Sequence, residues 1–456
     1  MRLARAIRRA LFLMLPVGVL LVESPVPATG RTVQIFDTEI ENIIRLYAKP
    51  VFNAAGIDPE AVHIHILRSD VPNAFVSRGQ RLFVTTGLVR AAEHPGQVIG
   101  VLAHETGHIA GGHLARLDSM LRDATTPALL TTILAAALGA LAGSPEAAIA
   151  AAAAGTTAVN RRLLSFTRAQ EQAADRAAVH FLDQSGQSSR GLYEFLEYLD
   201  DQQALIISRR SQEALGYEVT HPLTRDRLAF IRDHLDHSKY TDKADPAELV
   251  RLHARMVAKL DGFIEPPART LAKYKASDPG LPARYARAIA LYRKPDTEAA
   301  VQATSALVAE HPKDPYFQEL QGQILFEAGR IAEAIPYYQR AVDAMPDAPL
   351  LRVGLAHAQI EVNREELIGP ALAHLKVAMR DDETVALTWR LAATAYGRSG
   401  QLGESALASA EYAFREGRRE DAVRMAERAK RLLKEGSTGR LRAEDLISLL
   451  KRDKPR

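Results

Sequence analysis

The stretch Val98-Ile99-Gly100-Val101-Leu102-Ala103-His104-Glu105-Thr106-Gly107-His108-Ile109-Ala110 decides how the chain is read. It is apolar almost throughout, which predicts a buried helix, and it carries His-Glu-x-x-His. Residues four apart share one helical face, about 5–6 Å apart at Cβ. His104 and His108 can therefore grip one metal ion from the same side, and two imidazoles on a rigid helix suit zinc, which takes nitrogen ligands in a tetrahedral shell. Glu105 faces the same cleft and is placed to take a proton from the attacking water rather than to bind the metal. The plainer reading, an amphipathic helix with two exposed histidines, does not account for so apolar a setting.

A zinc site of this kind needs a third protein ligand and one open position. Ala169-Gln170-Glu171-Gln172-Ala173-Ala174-Asp175-Arg176-Ala177-Ala178 predicts a second helix with Glu171 and Asp175 one turn apart on one face. Alone, that pair reads as a solvated surface. Behind the upstream motif, Glu171 becomes the third ligand and Asp175 the acceptor for a ligand histidine's ring N–H, fixing its tautomer. A third segment, Thr220-His221-Pro222-Leu223-Thr224-Arg225-Asp226-Arg227, predicts a loop opening a helix with Pro222 in its first turn.

Taken together, HETGH, ExxxD and HPxxxxR resemble the gluzincin metallopeptidases related to HtpX and the CAAX prenyl proteases, and within them the BepA (YfgC) type. Asn73-Ala74-Phe75-Val76 followed by Arg81-Leu82-Phe83-Val84-Thr85-Thr86-Gly87-Leu88 resembles that family's strand pair beside the active site. The resemblance implies a zinc endopeptidase of the periplasm with one Zn2+ per chain. It places His221 near the metal, where as a fourth ligand it would close the open position and hold the enzyme latent, the alternative being that it only hydrogen-bonds the transition state. Arg227 then supports the site or the transition-state oxyanion, and Asn73, Ala74, Phe75, Phe83, Val84 and Thr85 border the substrate strand. It also implies partners: the outer-membrane protein assembly machinery, with misassembled β-barrel proteins as substrates.

The chain has 456 residues, of which 47% are hydrophobic, enough for two or more packed domains. With 58 basic and 55 acidic residues the net charge is +3, a balance that argues against a nucleic-acid binder. Arg2, Arg5, Arg8 and Arg9 precede an apolar run from Leu11 to Val22, and Val26-Pro27-Ala28 offers a cleavage pattern. This reads as a secretory signal peptide, too short for a comfortable membrane span. With no cysteine there are no disulfides and no thiolate ligands.

Thr38-Glu39-Ile40-Glu41 predicts a capping box, followed by Ile40, Ile43, Ile44, Tyr47 and Val51 at helical spacing. Val62 to Ile66 alternates as a strand, with His63 and His65 on the face opposite the isoleucines. A hairpin between Ala74 and Thr86 turns at Arg78-Gly79-Gln80, and its exposed edge can hold an extended peptide by backbone hydrogen bonds. Between Pro127 and Val159 the only charge is Glu146, and Gly143-Ser144-Pro145 breaks the run. It reads as an alanine-rich helical hairpin on the protease body, with a lid or a peripheral membrane contact as the functional reading.

A helix from Ala247 to Phe263 ends at Glu265-Pro266-Pro267, and a period of 34 follows: Pro312 and Pro346, Ala300 and Ala334, Leu291 and Leu325. Gly322, Leu325, Gly329, Ala334, Tyr338, Ala341 and Pro346 fit the tetratricopeptide pattern. Further units begin near Pro349, with an insertion near Glu365, at Trp389, and through Ala410 to Ala429, and Leu441 to Leu450 predicts a terminal capping helix.

The expected fold is therefore mainly α with a small β-sheet, a gluzincin domain joined to an α-solenoid. Its parts are a signal peptide over 1–28, a zinc metalloprotease domain over 29–265 and a linker over 266–284. Repeats over 285–435 and a capping helix with a basic tail over 436–456 complete it. Stacked repeats bind other proteins, so the second reading is a chaperone or scaffold with an idle metal site. A third, an integral-membrane protease, depends on 127–159.

Overall fold

The computed structural model describes residues 33–113, 115–116, 158–209, 221, 223–381 and 385–452. The signal peptide, nearly all of the 127–159 hairpin, Pro222 and the end of the basic tail lie outside the described residues. No helix among those described is long and apolar enough to cross a membrane.

The first half wraps around one helix. Strand β1 (Val33–Ile35) leads into α1 (Thr38–Ala54), whose Ile40, Ile43, Ile44, Tyr47 and Val51 are all buried, as their spacing predicts. The cap is Asp37, not Thr38: the Asp37 carboxylate accepts the Ile40 N–H at 3.0 Å, and Glu41 accepts the Asp37 N–H at 3.3 Å. The capping device exists, shifted one residue toward the N-terminus. Strands β2 (His63–Arg68), β3 (Ala74–Ser77) and β4 (Arg81–Thr85) complete a four-stranded sheet ordered β1-β2-β4-β3. Ile64 and Ile66 face the core, with His63 exposed and His65 half-buried on the other face. The hairpin turn lies where expected, with Gly79 and Gln80 at φ 76° and 54°.

The strands differ from expectation in one respect. β4 pairs with β2 in parallel, Phe83 opposite His65, and with β3 antiparallel, Phe83 opposite Phe75. The backbones of Phe83, Val84 and Thr85 thus lie in the sheet interior, and a peptide seeking a sheet edge has β3 instead. β3 packs against the central helix.

After the short α2 (Thr86–Ala91) comes that central helix, α3 (Pro95–Ala110), buried from Pro95 to His108. A helix apolar on all sides must be enclosed, and α4 (Ala158–Gln184) and α5 (Arg190–Arg209) enclose it. Glycines set the spacing. A Cβ on Gly100 would lie 2.5 Å from the Leu192 nitrogen of α5, and one on Gly107 would lie 2.8 Å from the Ala174 carbonyl oxygen of α4. Helix α6 (Arg225–His237) begins at an N-cap Thr224, whose hydroxyl accepts the Arg227 N–H at 3.4 Å. His221 therefore precedes the helix.

α7 (Ala247–Ile264) and α8 (Pro267–Lys273) follow, so the stretch expected as a linker is partly helical. The first repeat helix, α9 (Leu281–Arg293), starts four residues before the expected boundary at 285 and packs on α7. The solenoid continues as α10 (Thr297–Glu310), α11 (Pro315–Glu327), α12 (Ile331–Ala344), α13 (Pro349–Glu361) and α14 (Ile368–Asp381). It ends with α15 (Ala386–Arg398), α16 (Leu402–Arg415), α17 (Arg419–Leu432) and α18 (Thr438–Arg452). α9, α11 and α13 start 34 residues apart, and a 3-10 turn at Glu365–Leu367 is the expected insertion. The repeat glycines have a packing reason: Cβ atoms on Gly322 and Gly354 would stand 3.1 and 3.0 Å from the ring of Tyr338.

A buried charged layer joins the two halves. Lys259 of α7 reaches Asp37 at 2.7 Å and Glu39 at 3.1 Å. Arg255 pairs with Glu39 and with Asp314 of the solenoid, and the Tyr285 hydroxyl donates to Glu39 at 2.9 Å. Unpaired, Glu39 would be costly to bury; with three donors around it the charge is compensated.

Candidate metal centre

Helix α3 carries His104, Glu105 and His108 inward, each less than a tenth exposed. The close approach at Gly107 brings α4 near enough for Glu171 to meet them. Nε2 of His104 lies 3.1 Å from Nε2 of His108 and 3.2 Å from Oε2 of Glu171, and Nε2 of His108 lies 3.3 Å from Oε1 of Glu171. His221 enters from the loop before α6, its Nδ1 3.2 Å from Glu171 Oε2 and its Nε2 3.3 Å from Glu105 Oε1. One donor atom from each of His104, His108, Glu171 and His221 falls within 4.8 Å of the others. Three imidazoles and a carboxylate in so small a buried volume fit a divalent metal of zinc's preference. The oxygens of Glu105 are buried without a hydrogen bond, a fit for a group that acts on water or substrate.

The supporting contacts are as well defined. Asp175 accepts from His104 Nδ1 at 2.9 Å, so Nε2 is free to face the cluster. Arg227, 1% exposed, forks onto Asp175 through Nε at 2.6 Å and Nη2 at 2.9 Å, and its Nη1 reaches Glu171 at 3.1 Å. Of the two roles expected for Arg227, this geometry supplies support: the guanidinium is engaged with the carboxylates that hold the donors.

Electrostatics follow from burial and neighbours. Burial lowers the His104 pKa, but hydrogen bonds to Asp175 and Glu171 outweigh it and raise it to about 9. His108 is pushed down to about 3, by burial first. Burial opposes ionisation of Asp175, yet hydrogen bonds from His104 and Arg227 hold it at about 2. Glu171 is held far below the usual carboxylate range by its histidines despite burial, whereas burial raises Glu105.

Residues 37–235 match the model of Peptidase family M48, and residues 284–349 match a tetratricopeptide repeat model. The chain has an M48 peptidase domain followed by tetratricopeptide repeats. It is a metallopeptidase, and the buried His-His-Glu-His group is where this family's metal fits. The beta-barrel assembly-enhancing protease of Yersinia pestis is 26% identical over 394 residues, 86% of this chain and 79% of that one. Its Escherichia coli K12 counterpart is 26% identical over 409 residues, 85% and 78%. The mitochondrial metalloendopeptidase OMA1 of Schizosaccharomyces pombe is 26% identical over 191 residues, 41% of this chain and 50% of that one.

The structure thus brings together every sequence-predicted ligand and support: His104, Glu105, His108, Glu171, Asp175, His221 and Arg227. Asn73, Ala74 and Phe75 lie at the edge strand beside α3, and Phe83, Val84 and Thr85 one strand inward. Two histidines near the ends of α3 went unread, and only His113 touches the donor cluster. His94, at the N-cap of α3, sits between Asp245 at 2.6 Å and Glu194 at 2.7 Å. His113 lies 2.9 Å from His108, Nδ1 to Nδ1. The signal for His113 was a histidine five residues past His108, behind the pair Gly111-Gly112.

Proposed function

We propose that the protein is a zinc-dependent endopeptidase of the periplasm, exported by a cleaved signal peptide, that acts in β-barrel protein assembly and degrades misassembled outer-membrane proteins. The observation that carries the catalytic part is the buried convergence of His104, His108 and Glu171 beside a Glu105 whose oxygens make no hydrogen bond. The setting in β-barrel assembly is supported by the names of relatives that align over most of this chain.

In this reading His104, His108 and Glu171 hold one Zn2+. When bound, zinc supplies a Lewis acid that polarises the scissile carbonyl and acidifies water. Glu105 takes the proton of the attacking water as the new C–O bond forms, then delivers it to the departing amine as the C–N bond breaks. Asp175 keeps the His104 tautomer, and Arg227 keeps Asp175 and Glu171 ionised and aimed. The edge strand β3 aligns the extended substrate by backbone hydrogen bonds. The repeats supply the surface for the assembly machinery.

His221 acts as a latch. With it the donor set numbers four, so His221 would occupy the position a bound zinc needs for water and would hold the enzyme idle until a partner or substrate shifts it. That contact also favours the second reading, a chaperone or scaffold with a latent metal site. The test is metal analysis of the purified protein together with cleavage of an unfolded β-barrel protein. One zinc per chain, and cleavage lost on chelation and restored by zinc, supports the peptidase. Bound zinc with no cleavage under any activating condition would favour the scaffold.

A further inference from the structure

His104 and His108 are equivalent in the sequence motif but not in their surroundings. His104 gives its Nδ1–H to the carboxylate of Asp175. Nδ1 of His108 meets no carboxylate among the described residues; it faces Nδ1 of His113 at 2.9 Å, the rings nearly perpendicular at 81°. Only one proton can lie between two ring nitrogens. If Nε2 of His108, which points at Glu171 and His104, binds metal, Nδ1 of His108 must carry that proton. His113 must then accept through Nδ1 and keep its own proton on Nε2.

The chain is built to present that acceptor. Gly111 is the C-cap of helix α3, and Gly112 adopts φ 61°, a left-handed conformation that breaks the helix there. A Cβ on Gly111 would stand 2.5 Å from Nε2 of His113, so only glycine leaves the ring room to fold back beneath His108. His113 is 4% exposed, and Gln170, the neighbour of Glu171 on α4, donates to its carbonyl at 3.2 Å. One end of the turn is thereby tied to the helix that brings the carboxylate donor.

We propose that His113 is a positioning residue for the metal centre: its imidazole accepts the Nδ1–H of His108, fixing that ring's tautomer and its aim. This rests on the assignment of His104, His108 and Glu171 as ligands. Partners of this kind change metal affinity about 10–100-fold when removed. The test uses zinc competition and the cobalt(II) absorption spectrum on the full chain. His113→Leu keeps bulk but has no acceptor, and His113→Asn sets an amide oxygen where Nδ1 stands. Zinc affinity is expected to fall about tenfold or more in the Leu variant, with an altered cobalt spectrum, and to recover largely in the Asn variant. Wild-type affinity in the Leu variant, or equal losses in both, would overturn the proposal, since mere packing would not distinguish an acceptor. Nitrogen NMR of zinc-loaded wild-type protein needs no variant: His113 is expected protonated at Nε2 alone, and a proton on its Nδ1 would overturn the proposal. A wild-type protein that takes up no zinc would overturn the ligand assignment beneath it.

Discussion

Replacing Arg227 by methionine keeps the length of the side chain and removes its charge. In the native site Arg227 makes contacts of 2.6 and 2.9 Å to Asp175 and 3.1 Å to Glu171, all in the interior. Removing one partner of a buried ion pair costs about 3–5 kcal/mol, because the remaining charge stays behind without compensation. Asp175 would keep the donor from His104 and Glu171 would keep His221, so the lower end, about 3 kcal/mol, is expected. Against a typical stability of about 5–15 kcal/mol this leaves the metal-free peptidase half marginal, while zinc at a thousandfold excess over its Kd returns about 4 kcal/mol. The single tryptophan, Trp389, lies in the solenoid and would not report the loss. Hydrogen exchange of the α3 amides would. The decisive comparison is a cycle with Asp175→Asn: on that background Arg227→Met is expected to cost less, about 1.5–2 kcal/mol, because only a hydrogen bond from the charged guanidinium to a neutral amide and the contact with Glu171 are then lost. A cost below about 1 kcal/mol in the wild-type background, or an equal cost in both, would refute the view that Arg227 serves to compensate Asp175.

His221→Ala is expected to raise basal proteolysis and self-cleavage with zinc retained; a fall in turnover at full zinc would instead make His221 a transition-state donor. Gly107→Ala is expected to destabilise by about 1–3 kcal/mol and to weaken zinc binding, since its Cβ would meet the Ala174 backbone at 2.8 Å; unchanged zinc affinity would show that the helix spacing is not set there. Burial lowers the His94 pKa, but the Glu194 and Asp245 carboxylates outweigh it and raise it above the ordinary value. Its contribution to stability is therefore complete below pH 6.5 and is lost as pH rises through the raised pKa. The stability gap between wild type and His94→Gln is expected to be wider at pH 6 than at pH 9, and a gap independent of pH would contradict this.

What the sequence disclosed follows from which constraints are local. His104, Glu105 and His108 were legible because metal geometry demands one face of one helix, and Glu171 with Asp175 because the same spacing recurs. The 34-residue period was legible because each repeat must bury the same small and bulky positions against its neighbour. The interior place of β4 was not, because it depends on parallel pairing with β2, which no local pattern encodes. Asp37 rather than Thr38 caps α1, since both residue types cap and only the fold chooses between them. Arg255 and Lys259 lie on an amphipathic face that reads as solvated until the solenoid's Asp314 and Tyr285 arrive beside it. His113 depends on a left-handed break at Gly112 that a histidine count does not reveal.

The account turns on Glu105 as the proton carrier at a centre held by His104, His108 and Glu171. Glu105→Gln preserves shape and all three ligands while removing the base. The most direct measurement is zinc content and turnover of an unfolded β-barrel protein by this variant beside wild type. One zinc per chain with turnover lower by at least about a hundredfold is the predicted result. Cleavage at the wild-type rate with zinc in place would contradict the mechanism.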